Sequence, residues 1–266
     1  MLTASRLPKP WPRPCWRICR RKRQVAMKLD DIKKLHQKKY RNQFGHFLVE
    51  GEHLVLELQK AAQLSPALLH SQLLVTDKYQ HWQSPFETRV ISDKQMAQIA
   101  DTQTPPGIVA VAPVPDIPGA LVDGERAIYL HEIQDPGNLG TILRTLAWFG
   151  GFRCLLSPGS VDPYNPKVVR SSMGAIFHVP LELDVSLAHL AERFARIACL
   201  DMDGVAVRND AFAGHRCYVF GNEARGVPRE QLQNFDLHMF NIPGSGAIES
   251  LNLATAVNIC VYELMR

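Results

Sequence analysis

No apolar run in this 266-residue chain approaches the roughly 18–20 residues that a helix needs to cross a bilayer, so the chain reads as a soluble protein. No CxxC pair occurs among its six cysteines, Cys15, Cys19, Cys154, Cys199, Cys217 and Cys260. Four of these sit inside apolar patterns, which predicts reduced core thiols in a cytoplasmic protein, with no disulfide and no metal site. The glycine string GxGxxG of dinucleotide folds, GxxxxGK[ST], HExxH and GxSxG are all missing, which argues against the commonest nucleotide, zinc-protease and serine-hydrolase chemistries. Acidic residues are missing from positions 1–26, which hold eight basic residues and the prolines Pro8, Pro10, Pro12 and Pro14. A formal charge of +4 for the whole chain therefore leaves −4 from Met27 onward. Any electrostatic footprint for a polyanion must be local.

Residues 1–26 read as a disordered basic extension, with Met27 as the expected natural start. Asp30 to Asn42 reads as a short helix carrying Lys33, Lys34, Lys38, Lys39 and Arg41. Such a run is a candidate phosphate-binding patch, or simply a solvated helix face. Strands at 47–49, 73–76, 89–91 and 108–112 alternate with helices at 51–63 and 93–100, the latter capped by Ser92. Residues 27–113 thus form a small α/β domain, and 114–122, rich in proline, a linker. From 123 to 266 strands at 127–133, 152–156, 179–183, 197–200, 218–220 and 239–242 alternate with helices at 138–149, 166–177, 187–195 and 250–265. That rhythm predicts a mostly parallel sheet covered on both faces.

The last fifth of the chain organises the rest. Two short apolar runs feed polar, glycine-rich loops, Gly221–Gly226 and Pro243–Glu249. Loops at the carboxyl ends of buried strands are where open α/β sheets bind ligands. Asn138 and Ser250, taken singly, are explained as helix N-caps. Gly221 and Gly226 are explained by turn geometry. Arg144, inside Ile142-Leu-Arg-Thr-Leu146, needs a partner, and Glu223 could supply it in a structural ion pair.

Taken together, these residues carry a resemblance. Asp135-Pro-Gly-Asn-Leu-Gly-Thr-Ile-Leu-Arg144, then Phe220-Gly-Asn-Glu-Ala-Arg-Gly-Val227, then Ile242-Pro-Gly with Glu249-Ser-Leu-Asn-Leu-Ala-Thr-Ala256, resemble the three motifs of the SpoU/TrmH group of SPOUT RNA methyltransferases. Residues 123–266 resemble its catalytic domain, and 28–113, more distantly, its amino-terminal substrate-binding module. Gly244 replaces a common methionine, and Ala224-Arg225 a common glycine.

The resemblance implies a parallel sheet ending in a trefoil knot. It implies S-adenosylmethionine held by the loops around Leu200, Gly221, Asn222, Ile242 and Leu251, an RNA partner, and a homodimer. Arg144, Asn138, Glu223, Ser250 and Asn252 are its implied catalytic group, with transfer of methyl to a ribose 2′-hydroxyl as the reaction. A guanidinium keeps its proton, so Arg144 is expected to orient the phosphate and ease loss of the hydroxyl proton rather than act as base. Arg170, in Arg170-Ser-Ser-Met-Gly174, joins Lys33, Lys34, Lys38, Lys39 and Arg41 as a candidate RNA contact. Ribosomal RNA is the expected substrate ahead of tRNA. Base methylation on the same fold and a non-catalytic RNA-binding role in ribosome assembly are the alternatives.

Overall fold

The structure, a computed structural model, describes residues 27–266 except Ile117 and Asn234. The basic extension 1–26 lies outside the described residues. Two sheets make up the molecule. The first holds β1 (His46–Glu50), β2 (Gln72–Val75), β3 (Glu87–Val90) and β4 (Ile108–Pro113) in the order β1-β4-β2-β3. Strand β4 runs antiparallel to both β1 and β2, and β2 parallel to β3. Side chains alternate between its faces, as a period of two requires. Phe47, Val49, Leu73 and Ile108 pack on one side with Leu54, Val55 and Leu58 of α3 (Glu52–Ala62). Leu48, Leu74, Val109 and Val111 pack on the other with Ile32 of α1 (Leu29–Lys34) and Met96 and Ile99 of α4 (Asp93–Ile99). The expected Ser92 cap is present and forms a complete capping box with Gln95.

The helix expected over 30–42 is instead two, α1 and α2 (Lys38–Phe44). Leu35 turns into the core at the break, and Arg41 donates to the carbonyls of Leu35 (2.7 Å) and His36 (2.8 Å), satisfying the groups the break frees.

The second sheet is wholly parallel. It holds β5 (Arg126–Leu130), β6 (Phe152–Leu156), β7 (Leu181–Glu182), β8 (Ile197–Ala206), β9 (Cys217–Phe220) and β10 (Leu237–Asn241) in the order β10-β8-β9-β5-β6-β7. The apolar runs of β5, β6 and β9 are buried throughout because helices cover both faces. On one face lie α5 (Pro136–Phe149), α6 (Pro166–Ser171), α8 (Asp210–Ala213) and α10 (Leu253–Leu264). On the other lie α7 (Leu187–Arg193) and α9 (Arg229–Leu232). The chain moves outward through β5, β6 and β7, then returns to build β8, β9 and β10 on the opposite side of β5. The sheet therefore reverses between β5 and β9, the position at which α/β sheets open a ligand crevice.

Three expectations are corrected. The helix over 166–177 stops at Ser171 and resumes as one 3-10 turn at Ala175, because Met173 and Gly174 take positive φ (50° and 93°) where Gly174 meets Glu57. The last helix begins at Leu253, capped by Asn252, not at Ser250. The strand ending at Leu200 extends to Ala206. Its pairing with β10 jumps from Cys199–Met239 to Val205–Phe240, so residues 200–204 bulge out of the ladder. Gly204 closes that bulge, since a Cβ there would lie 2.6 Å from the nitrogen of Phe240.

Candidate active site

The site is built on the amino-terminal end of α5. Pro136 at the first turn carries no N–H to satisfy, and the Asp135 side chain accepts from the Asn138 nitrogen (2.6 Å). Capping by Asp135 leaves the Asn138 side chain free, so Asn138 is not the N-cap. Its Nδ2 donates to Glu223 (3.4 Å) and its Oδ1 accepts from Asn252 Nδ2 (2.9 Å). Glu223 also accepts from the backbone nitrogens of Gln134 (3.2 Å) and Asp135 (3.2 Å). A carboxylate is stabilised there by the positive end of the helix dipole. Asn252 meanwhile caps α10 through Thr255 (3.2 Å). One chain of side chains, Glu223–Asn138–Asn252, thus joins the loops after β5, β9 and β10.

Arg144 stands apart from that chain. It is exposed and makes no hydrogen bond or ion pair among the described residues. The suggested Glu223–Arg144 pair does not form, because Glu223 is engaged at the helix start, about 9 Å down the axis at 1.5 Å per residue. Arg144 shares an exposed stripe of α5 with Thr141 and Trp148. Ser250 is exposed on the loop before α10, and its side chain makes no hydrogen bond to Asn138 or Glu223.

Of the residues expected to hold cofactor, Gly221 admits no side chain, since a Cβ would run into the backbone of Gly226 and Val227. Asn222 is buried and organises its own loop. Its backbone bridges Gly226, its Oδ1 accepts from Ala224 and Arg225 (3.0 Å each), and its Nδ2 donates to the Glu132 carbonyl (2.7 Å). Leu200 and Ile242 are half-buried and Leu251 exposed, all at the carboxyl end of the sheet. Residues 243–251 make no backbone–backbone hydrogen bond among the described residues, and of their amides only that of Ala247 is engaged, by the Ser245 hydroxyl (3.4 Å).

Two residues there were not read from the sequence. Asn241, at the end of β10, donates to the Met202 carbonyl (3.3 Å) while its buried Oδ1 has no partner. His131, just past β5, keeps a buried, unpartnered Nδ1, and burial lowers its pKa. Asn241 lies inside an apolar stretch and His131 outside the motif, so neither bore a local signal. An orphaned acceptor beside a loop of largely unengaged amides, at the carboxyl end of the parallel sheet, fits a ligand carrying amino and carboxylate groups, as S-adenosylmethionine does.

The basic residues fare differently. Lys38 and Lys39 are exposed, and Lys33 is half-buried. Lys34 pairs with Asp31 at 2.8 Å. Arg41 is a correction: it is 3% exposed and its Nε donates to Asp162 of the second sheet's domain (2.9 Å), out of reach of any RNA. Arg170 is likewise committed, pairing with Asp101 of the small domain at 2.9 Å.

A parallel sheet whose order reverses between β5 and β9, with three loops at its carboxyl end wired through Asn138, defines an α/β protein of the ligand-binding class. Residues 125–262 match the SpoU rRNA methylase family and 27–110 the MRM3-like substrate binding domain, and the chain belongs to the SpoU family. It is 33% identical over 251 residues to the 23S rRNA (guanosine(2553)-2′-O)-methyltransferase RlmP of Bacillus subtilis, covering 89% of this chain and 95% of that one. A TrmH-family structure from Porphyromonas gingivalis is 30% identical, with a TM-score of 0.75 over 90% of this chain and 98% of its own. An AdoMet-bound rRNA methyltransferase from Sinorhizobium meliloti shares the fold, with a TM-score of 0.75 at 24% identity over 89% of this chain and 93% of its own.

Proposed function

We propose that this chain transfers a methyl group from S-adenosylmethionine to a ribose 2′-hydroxyl of ribosomal RNA. The observation that carries this reading is the Glu223–Asn138–Asn252 chain binding the three motif loops together at the start of the helix that carries the uncommitted Arg144. Bound in the crevice, S-adenosylmethionine supplies an electrophilic methyl on a sulfonium. Asn241 and the unengaged amides of the 243–251 loop would hold its polar ends, and Leu200, Ile242 and Leu251 its apolar surface. Arg144 supplies a guanidinium fork for a nucleotide phosphate, fixing the hydroxyl in line and favouring its loss of a proton. Glu223 does not meet the reacting atoms. It holds the loops at the spacing that alignment requires.

Residues 27–113 act as the RNA-positioning domain, with 114–122 as the connection; the match to a substrate binding domain supports this. The chain works in the cytoplasm as a homodimer. Trp148, 84% exposed on α5, and Tyr262, 58% exposed on the adjoining α10, support a partner on that face. A partner seated there would lie along the Arg144 stripe.

The test is Arg144→Ala. Methyl transfer from labelled S-adenosylmethionine to RNA from a strain lacking this protein should fall by about 100-fold or more, as when one preorganised charge-stabilising donor is removed. Cofactor affinity should be retained. Undiminished transfer would overturn the role of Arg144, and a labelled base in place of a 2′-O-methyl nucleoside would overturn the reaction.

A further inference from the structure

The amino ends of the parallel strands, opposite the site just described, hold a cavity. Its volume is about 420 Å³, and Arg193, Arg196, Arg216, Phe194 and Leu121 line it. The three arginines come from separate places in the chain: the end of α7, the turn into β8 and the turn into β9. Strands of four to five residues at about 3.3 Å each put this cavity some 15 Å from the catalytic end. None of its lining residues belongs to the candidate active site.

No carboxylate is among the lining residues. Arg193 is bound to Glu182 just outside (2.7 and 3.0 Å) and lies over the Phe194 ring, 5.5 Å from its centroid. Arg196 and Arg216 are exposed, and their hydrogen-bond partners are not carboxylates: His238 Nδ1 (3.1 Å) and the Val122 carbonyl (3.0 Å). Neither makes an ion pair among the described residues, in a chain that is net negative from Met27 onward. Each of these acceptors takes one N–H of a five-donor fork, which orients the guanidinium and leaves the rest of the fork free. Two oriented, unneutralised guanidinium groups above an apolar and aromatic floor match a phosphate attached to a base or sugar.

We infer that this cavity is a nucleotide-phosphate site separate from the methyl-transfer crevice. Two sources share that chemistry, a nucleotide of the RNA substrate lying across the far end of the sheet and a free nucleotide.

The experiment uses the full chain carrying Arg144→Ala, so that binding is read without turnover and independently of the proposed reaction. Fluorescence titrations with a ten-nucleotide single-stranded RNA and with adenosine 5′-monophosphate are run from 50 to 200 mM salt. They compare Arg144→Ala alone with the same chain carrying Arg196→Gln and Arg216→Gln, and with Lys at both positions. If the site takes RNA, the glutamine pair weakens RNA binding about ten-fold. It also lowers the slope of log affinity against log salt by about 1–1.5, the contribution of two phosphates at about 0.7 each. The lysine pair restores the slope but not the full affinity. If the site takes a free nucleotide, adenosine 5′-monophosphate binding is lost in the glutamine pair while RNA binding is unchanged. RNA affinity, salt slope and mononucleotide binding that are all the same with and without the two arginines would overturn the inference. S-adenosylmethionine binding, measured alongside, should not change, which establishes that the glutamine variant is folded.

Discussion

Asn138 illustrates how a side chain is freed for work. A cap from Asp135, three residues upstream, accepts from the Asn138 amide and starts the helix, so the Asn138 side chain is not needed as a cap. Asn138 is then available to both Glu223 and Asn252. The arrangement makes a demand on residue 223 that charge alone does not capture: both oxygens must accept, because every neighbour donates. Glu223→Gln would turn an N–H₂ group toward backbone N–H groups, leaving donors facing donors. We expect methyl transfer to fall about ten- to a hundred-fold with the loss divided between cofactor affinity and turnover. Wild-type kinetics in Glu223→Gln would show that its acceptor role is dispensable. Gly140 is the other residue fixed by its surroundings. A Cβ there would lie 2.6 Å from Ser171 Cβ, so glycine is what lets α6 close on α5.

Element placement depends on a buried ionic network at the outer edge of the second sheet. Arg153 on β6 is held by Glu125 (2.8 Å) and Glu182 (2.8 Å), and Glu182 is shared with Arg193 of α7. Arg153→Met would keep the volume but strand Glu125, which is 2% exposed, without its counter-ion. Urea denaturation should then report a loss of about 3–5 kcal/mol. The same network sets an acid limb. Burial raises the Glu182 pKa, but hydrogen bonds from Arg193 and Arg153 outweigh it and the net shift is downward. A carboxylate lowered by folding contributes stability above its unfolded pKa and loses it as pH falls through its folded value. Thermal midpoints should therefore drop as pH falls below the ordinary carboxylate range. Glu182→Gln should flatten that drop, and an unchanged acid limb would assign it to other groups.

At the scale of the molecule, the small domain is fastened to the large one by two arginines and an aromatic contact. Arg41 reaches Asp162, Arg170 reaches Asp101, and Phe47 packs on Tyr164 with ring centroids 4.8 Å apart. Two residues that chemistry alone would assign to RNA are used to hold the domains in register, and Ser171, next to Arg170, donates to the Pro136 carbonyl at the start of α5 (3.0 Å). Any RNA seated on the small domain is thereby referenced to the catalytic loops. The exposed face of α5 and α10 belongs to this scale too. In the proposed dimer, Trp148→Glu should weaken association by roughly thirty-fold or more, the effect of losing a central aromatic anchor. Sedimentation would read this as a shift to monomer, with methyl transfer falling in parallel. An unshifted sedimentation coefficient would place the dimer contact elsewhere.

What the sequence determined by itself was local. Alternating apolar strands and helices, the Ser92 cap and the spacing of three motifs are carried by neighbouring residues, and periodicity exposes them. The motifs also named Asn138, Arg144, Glu223 and Asn252 before any fold was in view. What only the tertiary structure decided was which of these meet. Asn138 and Asn252 are joined across 114 positions, and Arg41 and Asp162 across 121, so no window along the chain contains both partners. Helix breaks at Leu35 and Met173, the bulge at 200–204 and the burial of Arg41 follow from packing between distant elements, which overrides local propensity. The arginine-lined cavity is of the same kind. Arg193, Arg196 and Arg216 look like ordinary surface charges in sequence, and only the parallel sheet, which gathers the amino ends of its strands at one end, turns them into a site.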